Sequence, residues 1–231
     1  MSRFSVACLD MAGTTVRDDG TVIEAFSAAI AERNLPAGAY NDAMKYVRTS
    51  MGRSKIEVFR HVLGDERAAR AANTSFEEHY AAAVRAGEVA PMPGAAELFE
   101  ACRDAGIRVC LATGFSPVTR DAIVAALGWG GLVDLVLSPA DAGRGRPWPD
   151  LPLTALIRLG GGSVGELAVA GDTPSDIESG LRAGAGLVAG VLTGAGTRAE
   201  LAAVPAGTGL PGAPLLLDSI ADLPGYLLGA G

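Results

Sequence analysis

Cysteine, histidine and charge are all scarce in this 231-residue chain, which has three cysteines, two histidines and a charged fraction of 19%. Three cysteines cannot all pair within one chain, and Cys8, Cys102 and Cys110 each stand among apolar neighbours. They read as reduced core residues, which excludes a disulfide framework. His61 and His79 have no suitably spaced partners, so neither a zinc cluster nor a histidine-based triad is indicated, and both read as surface or boundary residues. No apolar run reaches the ~18 residues of a membrane span, and residues 1–6 lack the basic, apolar and small-residue layout of a secretory signal. No membrane partner is expected, and the expected location is the cytoplasm. The basic excess of a nucleic-acid binder is also missing. A net charge of −7 argues against nucleic acid, while leaving room for a local positive pocket that takes a small anion.

What the chain has in quantity is apolar material, 49% of its residues, enough for one large domain or one domain carrying an insertion. Residues 3–9 read as a buried strand. The pattern then turns helical, with helices expected at 23–33, 39–49, 56–64 and 66–84, before Pro91-Met92-Pro93-Gly94 brings the chain back as a stiff linker. Strands expected at 107–112, 135–137, 167–170, 187–192 and 215–217 alternate with helices at 95–105, 118–127, 151–159 and 175–183 and a closing helix. Residues 206–214, rich in Gly and Pro, read as a loop. This alternation calls for an α/β fold with a Rossmann-like, doubly wound parallel sheet covered on both faces. The expected organisation is a core of residues 1–16 and 91–231 with a helical cap of residues 17–90 between them, whose small apolar helices permit a homodimer.

Four features fall at the carboxyl ends of the expected strands, the edge at which open α/β sheets bind ligands. Leu9-Asp10-Met11-Ala12-Gly13-Thr14-Thr15 puts a carboxylate where a strand hands over to a glycine turn, the place for a nucleophile. Thr113-Gly114 supplies a hydroxyl and accessible amides. Gly143-Arg144-Gly145-Arg146-Pro147 carries two arginines, of which one or both face this edge, and Gly171-Asp172-Thr173-Pro174-Ser175-Asp176 carries two further carboxylates. Asp176 is equally at home in the first turn of a helix. Together these residues form the set that aspartyl-phosphate chemistry requires, and hard oxygen donors without a neighbouring His or Cys suit Mg²⁺.

On these motifs the chain resembles the haloacid dehalogenase superfamily across essentially its whole length, with the helical stretch matching that superfamily's cap. The resemblance implies that Asp10 is the nucleophile, that Thr113 and Arg146 bind the phosphoryl group, and that Asp10, the Ala12 carbonyl and Asp172 hold Mg²⁺, with Asp176 supporting. The first motif, written here D-M-A-G-T-T-V, looks most like the phosphonatase-like branch of phosphonoacetaldehyde hydrolases. The usual phosphatase of the superfamily has Asp at the place of Ala12, where it serves as general acid and base.

An alanine there cannot protonate a departing alkoxide. A carbon–phosphorus bond poses another problem, since its leaving group is a carbanion, and an amine that condenses with a neighbouring aldehyde provides the electron sink. Lys55 is the candidate amine, because Met51-Gly52-Arg53-Ser54-Lys55 resembles the segment that bears the Schiff-base lysine in that branch. Two roles stay open for it, imine formation and gripping the anionic end of a small phosphate or phosphonate substrate. Gly52, Arg53 and Gly114 are expected to line the substrate. The chain departs from the branch's pattern in having Val58 in place of a histidine, Phe115 in place of a tyrosine and Thr21 where a cysteine is expected. Trp129 and Trp148 read as packing residues, and Arg17, Asp18 and Asp19 as a solvated turn on the first linker.

Overall fold

The computed structural model describes residues 2–204 and 213–229. Most of the loop expected at 206–214 therefore lies outside the described residues. Strand β1 (Val6–Asp10) is buried at every position because it lies in the middle of a sheet with both faces covered. Its alternate side chains point to opposite faces: Ala7 and Leu9 enter one core cluster with Phe99, Ile107 and Trp129, and Val6 and Cys8 enter another with Leu151, Ile177 and Leu181. The three cysteines are free and buried.

The remaining elements follow in chain order. A two-residue strand β2 (Val16–Arg17) leads to four helices, α1 (Thr21–Ala31), α2 (Ala37–Thr49), α3 (Lys55–Leu63) and α4 (Glu66–Arg85), and the chain returns through β3 (Ala90–Pro91). Then come α5 (Ala95–Asp104), β4 (Arg108–Ala112), α6 (Pro117–Ala126), β5 (Leu135–Leu137), α7 (Pro139–Ala142), α8 (Asp150–Arg158), β6 (Leu167–Gly171), α9 (Pro174–Ala183), β7 (Leu187–Val191), α10 (Arg198–Ala202), β8 (Leu215–Leu217) and α11 (Pro224–Leu227). Six strands form one sheet in the order β5-β4-β1-β6-β7-β8, every pairing parallel. The expected Rossmann-like doubly wound sheet is therefore present. The strand order reverses on either side of β1, so a crevice opens at the carboxyl ends of β1 and β6. No helix among the described residues is long and apolar enough to cross a membrane.

The structure departs from the sequence expectations in four places. Strand β1 begins at Val6 rather than Arg3 and runs one residue further, because Asp10 pairs with Ala112 of β4. The two chain crossings are not plain linkers: Val16–Arg17 and Ala90–Pro91 form an antiparallel ribbon, where Pro91 is tolerated because a two-stranded ribbon leaves one edge of each strand free. The sequence pattern gives no helix at α7 or α10, although Asp141 accepts from the Ser138 amide at the start of the first and Thr197 with Glu200 forms a capping box at the start of the second. Finally, Trp129 is core, crossing Phe99 at 5.1 Å, whereas Trp148 is 43% exposed, with the guanidinium groups of Arg144 and Arg182 over its ring at 4.3 and 4.8 Å.

The helical insertion is held by an aromatic chain. Phe26 of α1, Phe59 of α3 and Phe76 of α4 meet with ring centroids 4.7–6.1 Å apart. Phe76 and Tyr80 of α4 then reach the Phe115 ring on the loop after β4, at 6.1 and 4.6 Å. Offset and tilted contacts of this kind add to the large apolar area that each ring buries.

Candidate active site

Asp10 stands at the carboxyl end of β1 and is buried. Its Oδ1 accepts a 2.5 Å hydrogen bond from Nη1 of Arg146, and the same guanidinium pairs with Asp176. Asp172 follows β6 directly, at the opposite wall of the crevice. It accepts from the Thr14 hydroxyl at 3.0 Å and from the Ala195 amide at 2.7 Å. Gly13, with φ +87°, brings its backbone so close that a Cβ there would lie 2.6 Å from Asp172 Oδ2. Asp176 is in the first turn of α9, where it completes a capping box with Thr173, whose hydroxyl donates to Asp176 Oδ2 at 2.5 Å. It thus fills its helix-start role and faces the site as well.

One carboxylate oxygen from each of Asp10, Asp172 and Asp176 can be chosen so that all three lie within 4.8 Å of one another. These are buried all-oxygen donors, and a single guanidinium among three carboxylates leaves an excess of negative charge. The electrostatics show the same excess. Burial, partly offset by Arg146, pushes the Asp10 carboxyl up to about 6, and burial together with the charges of Asp10 and Asp176 pushes Asp172 well above the carboxylate range. The donor set therefore fits a hard divalent cation.

Thr113 follows β4, anchored by its amide to the Leu137 carbonyl at 3.0 Å, and its hydroxyl accepts from the Phe115 amide at 3.2 Å. From the insertion, Lys55 enters at the first turn of α3. It is 7% exposed, its Nζ lies 4.6 Å from the centre of the Phe115 ring, and its amide donates to the Gly114 carbonyl at 3.2 Å. Burial and then Arg146 lower the Lys55 ammonium from 10.5 to about 8, against the opposing pull of Asp10, Asp18 and Asp172. Asp10, Ala12, Gly52, Lys55, Thr113, Gly114, Arg146 and Asp172 line one small cavity of about 20 Å³.

The structure separates the two loop arginines. Arg146 is buried in the site, while Arg144 turns outward to grip Asp150 through Nε and Nη2 at 2.9 and 2.8 Å. Arg53 is not among the residues that line the cavity; its carbonyl packs against Gly114 and its Nε is buried without a partner among the described residues. Gly52 and Gly114 are instead the places where this segment passes closest to the core: a Cβ on Gly52 (φ +82°) would lie 3.2 Å from Thr173 Cβ and nearer to its hydroxyl, and one on Gly114 would lie 2.9 Å from the Arg53 carbonyl carbon. His79 pairs with Glu32 and His61 stacks on Tyr46, both at the surface.

Sequence reasoning missed Thr14, Thr173 and Asp18. Asp18 is not a freely solvated turn residue. Its Oδ1 accepts from the amides of Gly20 and Val22 at 3.2 Å each, at the start of α1, and it lines the cavity. An Asp two residues before a Gly-Thr helix start is the signal that would have found it.

Comparison with known proteins agrees with this geometry. Residues 4–184 match the family model described as haloacid dehalogenase-like hydrolase. The chain is 28% identical over 213 residues to a phosphonoacetaldehyde hydrolase from Parabacteroides distasonis, covering 84% of this chain and 78% of that protein. Among solved structures, a hydrolase from Pseudomonas syringae superposes with a TM-score of 0.81 at 22% identity, over 96% of this chain and 97% of the other. CbbY from Rhodobacter sphaeroides in complex with phosphate gives a TM-score of 0.70 at 19% identity, over 95% and 96%.

Proposed function

Because the chain belongs to the haloacid dehalogenase-like hydrolase family, we propose that it cleaves a small phosphonate of the phosphonoacetaldehyde type, through a phosphoryl group carried on Asp10 and an imine on Lys55. The observation that carries this reading is a buried lysine amine in the same cavity as Asp10 and Arg146, with alanine at the position where an acid would protonate an oxygen leaving group. Similarity to the Parabacteroides distasonis phosphonoacetaldehyde hydrolase supports it. In this reading residues 1–16 and 91–231 are the catalytic core, and residues 17–90 are the cap that brings Lys55 over it and excludes water.

Asp10, the Ala12 carbonyl and Asp172, supported by Asp176, are the groups that would hold Mg²⁺, which would supply positive charge that reduces repulsion between the carboxylates and an anionic phosphoryl group. Lys55 condenses with the substrate aldehyde and releases water. An Asp10 carboxylate oxygen then attacks phosphorus, the carbon–phosphorus bond breaks, and its electron pair passes into the iminium to leave an enamine on Lys55. Thr113 and Arg146 compensate the charge on the transferring group. Protonation of the enamine carbon and hydrolysis of the imine release acetaldehyde, and water cleaves the aspartyl phosphate to free Asp10.

A second reading, hydrolysis of a small phosphate monoester with Lys55 only gripping the substrate, is favoured by one observation. The Lys55 ammonium lies over the Phe115 ring at 4.6 Å, a contact that favours the charged amine. Borohydride in the presence of phosphonoacetaldehyde is expected to trap an adduct on Lys55, and Lys55→Arg is expected to abolish phosphate release. Full turnover by Lys55→Arg, together with phosphate release from sugar or acid phosphates, would transfer the assignment to the phosphatase reading.

A further inference from the structure

Three carboxylates line the catalytic cavity, and two are already engaged: Asp10 with Arg146, and Asp172 with Thr14 and the Ala195 amide. The third is Asp18. Its Oδ1 is fixed by the amides of Gly20 and Val22, and its Oδ2 makes no hydrogen bond or ion pair among the described residues. That oxygen belongs to a carboxylate held in place by the start of α1, on the segment between β2 and α1, and Lys55 borders the same cavity from α3. The space is about 20 Å³, room for one small oxygen-bearing group of water size. The other charged groups acting on Lys55 are Asp10 from β1, Asp172 from the end of β6 and Arg146 from the loop after α7. Behind the amine stand the Phe115 ring and, tilted against that ring, Tyr80 of α4.

We infer that Asp18 is the proton acceptor and donor of the imine step, acting across this cavity on Lys55 and on the carbonyl oxygen of the substrate. The inference rests on the imine reading proposed above. The Asp18 carboxylate takes one proton from the Lys55 ammonium. The neutral amine adds to the aldehyde carbon, and a proton shift from nitrogen to oxygen gives a neutral carbinolamine. Asp18 returns its proton to the carbinolamine hydroxyl, the carbon–oxygen bond breaks with loss of water, and the nitrogen lone pair forms the iminium double bond. The carboxylate ends the cycle as it began. Its attachment to the first turn of α1 couples this proton transfer to the placement of the insertion over the core.

The test uses Asp18→Asn, since asparagine keeps the helix-start hydrogen bonds while losing the basic oxygen. The rate of borohydride trapping of phosphonoacetaldehyde on Lys55 is read by mass spectrometry at pH 7, with Lys55→Arg as the zero. Wild type is expected to trap readily, and Asp18→Asn about 10²-fold more slowly or less, the usual span of general acid–base catalysis. Added acetate is expected to restore part of the rate, and Asp18→Glu more of it, with the thermal midpoint unmoved. Trapping by Asp18→Asn within twofold of wild type overturns the role of Asp18 and leaves the imine reading standing. Absence of any adduct on the wild-type protein overturns the imine reading itself, and this inference with it.

Discussion

Replacing Gly114 by alanine puts a Cβ where the segment bearing Lys55 crosses the core. That atom would lie 2.9 Å from the Arg53 carbonyl carbon and nearer still to its oxygen, both rigid backbone atoms. Moving the carbonyl carbon to the 3.4 Å of an ordinary contact takes at least 0.5 Å, and clearing the oxygen takes more. The hydrogen bond from the Lys55 amide to the Gly114 carbonyl, 3.2 Å long, is carried away with it. The displacement therefore approaches ~1 Å at the amine, a misplacement that costs about 10²-fold in rate when reacting groups must be aligned. The assay is kcat/KM for Mg²⁺-dependent phosphate release, with the thermal midpoint followed in parallel. Gly38→Ala in α2, where nothing lies within 4 Å of the added Cβ, serves as the control and is expected to keep wild-type activity. A Gly114→Ala protein with kcat/KM within threefold of wild type would refute the claim that the close approach of Arg53 to Gly114 sets the position of Lys55.

The charged and buried groups of the site and core carry three further expected outcomes. In the metal-free protein, folded Asp10 holds its proton up to about pH 6 while the unfolded chain releases it near 3.8; its ionisation therefore costs stability, on the order of 2 kcal/mol, as pH rises through that window. Urea unfolding in EDTA at pH 4 and 7 should show Asp10→Asn gaining on wild type as pH rises, and an equal slope for the two would contradict it. Arg146→Met leaves Asp10 and Asp176 facing each other without their cation and should lose about 3–5 kcal/mol and all turnover, whereas Arg144→Ala should change neither the midpoint nor turnover. Cys8, Cys102 and Cys110 are buried and free, so Ellman's reagent should find no thiol in the native protein and three after denaturation.

The elements that sequence reasoning recovered are those whose signal is local and strong. An apolar run ending in Asp10, the Thr113-Gly114 step and the Gly171-Asp172 step each mark a strand end, and parallel βα order then brings them to one edge. What stayed illegible depends on partners far away in the chain. The β2–β3 ribbon consists of two-residue strands some 70 residues apart, too short to leave a periodic pattern. Arg144 and Arg146 are indistinguishable in sequence; Asp150, six residues beyond Arg144, draws one outward, while Asp10 and Asp176 draw the other inward. Asp18 was hidden because its hydrogen bonds at the start of α1 look like an ordinary turn, and only the folded chain brings it to the cavity that Lys55 also lines.

The ribbon also determines how the insertion hangs. Its entry and exit strands are hydrogen-bonded side by side, Val16 with Pro91 and Arg17 with Ala90, so the four helices are joined to the core at a single doubled stem. A body suspended from one stem can swing and twist about it as a unit, but its two attachments cannot slide past one another without breaking the ribbon. The lysine-bearing turn is therefore tethered to the core through one pivot, with its resting place fixed by the close approach of Gly52 to Thr173 and of Arg53 to Gly114.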